Sequence, residues 1–113
     1  MGFVRLGSNT EFQKVYHSGR SKANKYLVMY VDKGHSGPSR YGFSVSKKVG
    51  NSVQRHRVTR LLREAVRKYD ASITTGNRII VIARPTVEGK SLNEICDALV
   101  SLYRSHRIWR DNN

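Results

Sequence analysis

The sequence predicts an α+β domain: a mixed β-sheet packed with about three helices, in the order α-β-β-α-β-α. Three observations predict it. Apolar residues recur at helical spacing in three stretches, each opened by a capping residue. Two segments alternate with a period of two, as half-buried strands do. A further run, residues 78–84, is apolar at every position from Ile79 to Ala83. With 113 residues the chain should form one domain, 1–113. Its ends, about 1–7 and 110–113, show no periodicity and are expected to be loose.

The first helix is expected over residues 8–18. Ser8 and Glu11 have capping-box spacing, Asn9 being the alternative cap. Phe12, Val15 and Tyr16 fall on one face, and Gly19 stops the helix. Residues 26–31 read as a strand with Leu27, Met29 and Val31 on one side and Tyr26, Val28 and Tyr30 on the other. After a loop rich in Gly, Ser and Pro, residues 40–46 read as a second strand. Tyr41, Phe43 and Val45 form its apolar face, and Arg40, Gly42, Ser44 and Ser46 its small or basic one. So short a loop suggests an antiparallel pair.

Residues 53–69 carry the clearest helical pattern: Val58, Leu61, Leu62, Ala65, Val66 and Tyr69, with Asn51 or Ser52 as cap. The β-branched run at 78–84 suits a strand covered on both faces, and Pro85 ends it. Ser91 and Glu94 form a second capping box. Leu92, Ile95, Cys96, Leu99 and Tyr103 follow on one face of a helix reaching about Arg107. The strands at 40–46 and 78–84 are joined through a crossover helix, which allows them to be parallel.

Charge narrows the function. The chain has 21 Lys and Arg against 8 acidic residues, a net charge of +13, with 13 Arg to 8 Lys. Such a surface repels itself, and a polyanion relieves the repulsion. The arginine fork suits phosphate and base edges. Lys47 and Lys48 precede the central helix, which carries Arg55, Arg57, Arg60, Arg63 and Arg67 against one acid, Glu64. A merely solvated face would mix signs at i, i+4 spacing. This one forgoes that support, so phosphate contact is the better reading. The single Cys96 excludes an internal disulfide and is most simply a core residue. No apolar run approaches a membrane span and no secretory segment is evident, so a cytoplasmic protein is expected.

The run Tyr41-Gly-Phe-Ser-Val-Ser-Lys-Lys-Val-Gly-Asn-Ser-Val-Gln-Arg-His-Arg-Val-Thr-Arg-Leu-Leu-Arg-Glu-Ala-Val-Arg67 closely resembles the signature of the bacterial ribonuclease P protein component. Glu11-Phe-Gln-Lys-Val-Tyr16 is similar to that family's first helix, and the resemblance extends over roughly residues 5–107. The chain departs from the family at the head of the central helix. Arg55-His56-Arg57 stands where the family usually has Arg-Asn-Arg, and Thr59 stands where it often has Lys.

The resemblance implies the protein subunit of a ribonucleoprotein endonuclease that removes the 5′ leader of precursor tRNA. The catalytic centre and its Mg2+ would belong to a large RNA partner, with no catalytic or metal-binding residue in this chain. It implies a left-handed crossover, against the usual right-handed rule. It assigns Lys47, Lys48, Asn51, Arg55, His56, Arg57, Arg60, Arg63 and Arg67 to the catalytic RNA. It assigns Phe12, Lys14, Tyr16, Tyr30 and Ser44 to a cleft for the single-stranded leader. Precursor tRNA and the catalytic RNA are the implied partners, with no membrane and no obligatory protein partner.

The residues read alone fit the cleft. Single strands are held by aromatic platforms beside positive charge, and small Gly42 and Ser44 would leave room for one. A Phe-Val-Tyr stripe at helical spacing is equally a core stripe, and one residue can serve both ends. A self-sufficient nuclease fits poorly: the eight acids are scattered and His17, His35, His56 and His106 lie in unrelated contexts. A non-enzymatic RNA-binding module fits the charge pattern equally well. DNA reading by the arginine helix lacks a preceding helix-turn-helix partner.

Overall fold

The apolar run at 79–83 becomes the middle of a five-stranded sheet. The computed structural model describes residues 3–110. These residues form β1 (Val4–Arg5), α1 (Asn9–Ser18), β2 (Arg20–Ala23), β3 (Leu27–Asp32), β4 (Arg40–Ser44), α2 (Ser52–Tyr69), β5 (Arg78–Ala83) and α3 (Leu92–Ser105). The sheet order is β1-β4-β5-β3-β2. β1 and β4 are parallel, as are β4 and β5. β5 and β3 are antiparallel, as are β3 and β2. The predicted α+β order is contained in this one, with two short edge strands added.

β5 has two buried faces, so it needs cover on both. Ile79, Val81 and Ala83 enter the main core with Leu27, Met29, Val31 and Tyr41 from the sheet. Val58, Leu62, Ala65 and Val66 of α2 and Ile95, Leu99, Leu102 and Tyr103 of α3 close it. Ile80 enters a smaller core with Leu6 and Val15, flanked by Phe12, Tyr16, Tyr30 and Ile82. The result is three layers: α1, the sheet, then α2 with α3.

The expected hairpin between the strands at 26–31 and 40–46 does not form. β5 lies between them, because the strand with the most apolar surface takes the doubly covered position. A buried polar knot fixes this arrangement. Asn77 donates from its backbone N–H to Ser39 Oγ (3.1 Å) and from Nδ2 to the Thr74 carbonyl (2.7 Å). Arg40 N–H donates to the Asn77 carbonyl (2.9 Å), setting the start of β4 beside the start of β5.

Tyr26 is also placed differently from the expectation. The strand begins at Leu27, because Asn24 Oδ1 accepts from both Tyr26 and Leu27 N–H and makes the β2–β3 turn. Tyr26 therefore leaves the Val28 and Tyr30 face and packs on the main core.

The helices start where their caps predicted. Ser8 Oγ accepts from Glu11 N–H, but the Glu11 carboxylate turns to Gly7 N–H and Arg40 instead of closing a full box. Asn51 with Gln54, and Ser91 with Glu94, form complete capping boxes. At the end of α3, Ile108 N–H reaches back to the Tyr103 carbonyl, with Arg107 left-handed at φ 60°. This is a Schellman closure with arginine where glycine is usual. The left-handed conformation costs an L-residue about 1–2 kcal/mol.

The described residues near each end are tied to the sheet and the core. Val4 and Arg5 pair with β4, Leu6 is buried, and Ile73 and Trp109 form an antiparallel bridge. Trp109 stacks on Tyr103 at 6.2 Å, closing α3 onto the core. Met1, Gly2 and residues 111–113 lie outside the described residues.

His106 is buried at the end of α3, where Nε2–H donates to the Met29 carbonyl (2.9 Å). Burial, and then Lys33 and Lys22, hold its pKa below the usual 6.5, whereas the hydrogen bond works the other way. The native state thus binds fewer protons than the unfolded chain. Its contribution to stability is present above 6.5 and is lost as pH falls from there through the folded value. Denaturant midpoints measured from neutral to mildly acid pH should fall for the natural chain, and fall less for His106→Gln.

Candidate nucleic-acid interface

The first basic surface follows from the way α2 is held. Its apolar stripe, Val58, Leu62, Ala65 and Val66, is buried, so the opposite side must face outward. His56, Arg60 and Arg67 are exposed there, with Arg57 beside them. Ser52, Val53, His56, Arg57 and Arg60 line a shallow depression of about 440 Å³. Lys47 and Lys48 are exposed on the one-turn 3-10 helix that Ser46 caps before α2.

The expected residues are not equivalent. Arg57 donates to the Lys90 carbonyl (3.1 Å), which fixes its guanidinium against the loop before α3. Arg55 lies toward the core side of α2 and is half-buried, with its Nε enclosed and without a hydrogen-bond partner among the described residues. Thr59 donates back to the Arg55 carbonyl (2.9 Å). Asn51 Oδ1 is engaged by the Gln54 amide as the helix cap.

Arg63 turns to the flank, toward β1. Burial first, then the nearby Arg5 and Arg67 charges, push its pKa down. Arg67 lies over the Phe3 ring at 5.8 Å. Arg5 therefore extends the arginine surface from a neighbouring strand. Sequence reasoning missed it, since a two-residue edge strand leaves no periodic signal. It also missed Val53, which is 77% exposed amid the cations.

The second surface lies on the other side of the sheet. Tyr16 and Tyr30 meet edge to face with centroids 4.9 Å apart. Burial, then the Tyr30 phenol, raise the Tyr16 pKa. Phe12 packs over Gly42, where an added Cβ would lie 2.3 Å from the ring's Cζ. The space that glycine leaves is thus filled by Phe12 and is not free for a ligand. Past these rings α1 leaves the sheet face only half covered. Val28, Ile82 and Ser44 are half-buried there, with Ser44 paired to Ile82 across β4 and β5. Period-two alternation from Tyr30 and Ile80 was the signal for Val28 and Ile82. Lys14 is exposed on the outward side of α1 and is not brought to Phe12 and Tyr16.

Among the described residues, no three of His, Cys, Asp and Glu come together to hold a metal ion, and no helix is long and apolar enough to cross a membrane.

A family model for ribonuclease P matches residues 2–107 of the chain. The chain belongs to the ribonuclease P protein family. Two curated ribonuclease P protein components are among its relatives. The one from Lachnoclostridium phytofermentans is 48% identical, over 91% of this chain and 89% of its own length. The one from Alkaliphilus metalliredigens is 43% identical, over 92% and 94%. The solved ribonuclease P protein of Staphylococcus aureus superposes with a TM-score of 0.82 at 32% identity, covering 94% of this chain and 97% of that one. The ribonuclease P protein of Thermotoga maritima gives 0.81 at 28%, over 89% and 96%.

Within this ribonuclease P family fold, the contact of Phe12 with Gly42 is open to a direct test. Gly42→Ala should displace the Phe12 ring and destabilise the domain by about 1–3 kcal/mol, as overpacking does. Thermal or urea unfolding checks the stability, and NMR shifts of the Phe12 ring check its position.

Proposed function

We propose that this chain is the protein subunit of a ribonuclease P holoenzyme and holds two RNAs at once. The observation that carries the reading is the separation of its two surfaces. The α2 surface faces out from the main core, whereas the Phe12, Tyr16 and Tyr30 surface lies across the sheet against the smaller core. A polyanion on one does not cover the other.

On α2, the catalytic RNA is bound by Lys47, Lys48, His56, Arg57, Arg60 and Arg67, with Arg63 and Arg5 on the flank. Asn51 and Arg55 contribute by what their cap and packing leave available. Phosphate contacts of this kind release counterions and make binding strongly salt-dependent. The half-open sheet face takes the single-stranded 5′ leader of precursor tRNA. Bases stack on Tyr16, Tyr30 and the half-buried Phe12, with Ser44, Val28 and Ile82 as floor. Lys14 acts at most through its field, from the outer side of α1.

Bond cleavage is assigned to the RNA partner and its Mg2+. The protein's part is to orient the leader and strengthen the complex, which lowers the demand on magnesium. The chain works in the cytoplasm and needs no second protein for either contact.

Cleavage of a precursor tRNA at low magnesium, by the catalytic RNA alone, the protein alone and both together, tests the reading. Efficient cutting is expected only from the mixture. A protein that adds nothing would reduce the chain to an RNA-binding domain of another assembly. Arg60→Ala should weaken catalytic-RNA binding and lower its log–log salt slope by about 1. Tyr30→Ala should weaken precursor tRNA by about 1–3 kcal/mol and leave mature tRNA unchanged. Equal losses on both would move the leader away from Tyr30.

A further inference from the structure

A third basic surface lies at the edge of the sheet opposite β1. β2 is the outer strand there, and all four of its residues are exposed. Its register pairs Arg20 with Val31 and Lys22 with Met29. Val31 and Met29 point into the main core, so Arg20 and Lys22 stand on that same face, beside the end of α3. Lys33 follows the end of β3, and Arg107 follows the end of α3. With Ser18, Asp32, Ser105 and His106 these residues line a concavity of about 550 Å³. Its one carboxylate, Asp32, is already engaged by His35 Nε2 at 3.0 Å. The four cations are exposed and make no ion pair among the described residues. Lys33 and Lys22 both act on the buried His106 ring, so their fields converge on the floor of the concavity.

The backbone at Arg107 is the second observation. Among the described residues it alone has a positive φ without being glycine. Glycine would close α3 there at lower cost. A long cation instead occupies the strained position and reaches the concavity. The strain falls on a residue whose side chain lines the concavity.

We propose that this concavity is a phosphate-binding site for the precursor-tRNA leader, upstream of the segment held by Tyr16 and Tyr30. The inference rests on the leader cleft put forward above. The leader is favoured over the catalytic RNA by position. Ser18 lies two residues beyond Tyr16, and Val31 adjoins Tyr30, so a strand leaving that ring pair reaches the site by crossing β2. The α2 arginines belong to the other end of the sheet order. No Phe, Tyr or Trp ring lines the concavity and the His106 ring is buried beneath it, so it holds backbone phosphate and does not read bases.

The test is equilibrium binding by the reconstituted holoenzyme of precursor tRNAs with a short leader, ending within the cleft, and with a longer one. The variants are Arg107→Gly, which removes a cation while relieving the left-handed backbone, and the double change Arg20→Ala with Lys22→Ala. The natural chain should bind the longer leader more tightly. Each variant should lose that increment, roughly three- to tenfold, and the salt slope should drop by about 1 per cation removed. Short-leader binding should be retained, and the loss should not depend on the upstream base sequence. Arg107→Gly should melt no lower than the natural chain, which separates lost contact from lost fold. Unchanged long-leader binding in both variants would overturn the inference. So would an equal loss on short-leader precursor, mature tRNA or the catalytic RNA itself. Tyr30→Ala is the control for the cleft: it should weaken both precursors. If it weakens neither while the leader-length increment still depends on Arg107, the cleft reading fails and the phosphate site stands.

Discussion

Strand β5 offers apolar side chains to both sides of the sheet, and an element of that kind cannot lie at an edge. Ile79, Ile80 and Val81 are fully buried and Ala83 nearly so. Burying one large aliphatic side chain contributes about 1.5–3 kcal/mol, so leaving either face bare would forfeit several such terms. Cover on both faces requires helices on both, and the chain supplies α1 to one and α2 with α3 to the other. The hairpin that the short loop at 32–39 would otherwise form gives way, because pairing β3 directly with β4 would push β5 outward. The Ser39, Thr74 and Asn77 knot then places β4 against β5 from the other side of the chain.

The two-faced strand also determines how the molecule can meet RNA. A helix packed on a sheet has one side for the core and one for solvent. The outward side of α2 and the part of the opposite sheet face that α1 leaves half covered are therefore two surfaces that do not compete. With 21 cations against 8 acids, those surfaces cannot be neutralised internally. Several cations are accommodated over aromatic rings: Arg67 over Phe3, Lys25 and Lys90 over Tyr26, and Arg104 over Trp109. Such contacts orient a charge without cancelling it, and a polyanion still finds it. Polarity in the interior is handled differently. Tyr103 and Tyr41 hydroxyls meet at 2.8 Å, and Tyr41 donates to Asp70 at 3.0 Å. Burial raises both phenol pKa values, so the two hydroxyls stay neutral, and it raises that of the Asp70 carboxyl while the Tyr41 hydrogen bond works the other way.

Much of this was legible in the sequence, because helices report themselves through periodicity and caps that act locally. The α2 stripe, the Asn51 and Ser91 caps and the doubly apolar 79–83 run all rest on interactions within a few residues. What was not legible depends on partners distant in the chain. β2, Arg20–Ala23, has no apolar alternation, and becomes a strand only because β3 offers it an edge. β1 has two residues and exists by pairing with β4. Tyr26 changes side because Asn24 makes a turn with its own side chain. In the candidate site, the arginines of α2 were found by spacing, but Arg5 joins them only through the β1–β4 pairing. Small Gly42 suggested a vacant groove, and only packing shows that Phe12 fills it.

The head of α2 shows how one position can serve both fold and binding. The Asn side chain has one acceptor oxygen and two amide N–H donors. At Asn51 the cap takes the oxygen and leaves the exposed amide donors without a hydrogen-bond partner among the described residues. Rigidity and recognition are therefore not in competition there. His56 is a different case. It lies one turn into the helix, exposed beside Val53, Arg57 and Arg60, and its backbone is held by the helix whatever side chain it bears. The usual family Asn would offer hydrogen bonds in two senses at that point. An imidazole offers a donor and an acceptor on opposite edges of a flat ring, together with a face on which a base can stack. The exposed, apolar Val53 lies next to it. The imidazole thus adds a stacking face to this surface while the surrounding arginines keep its charge.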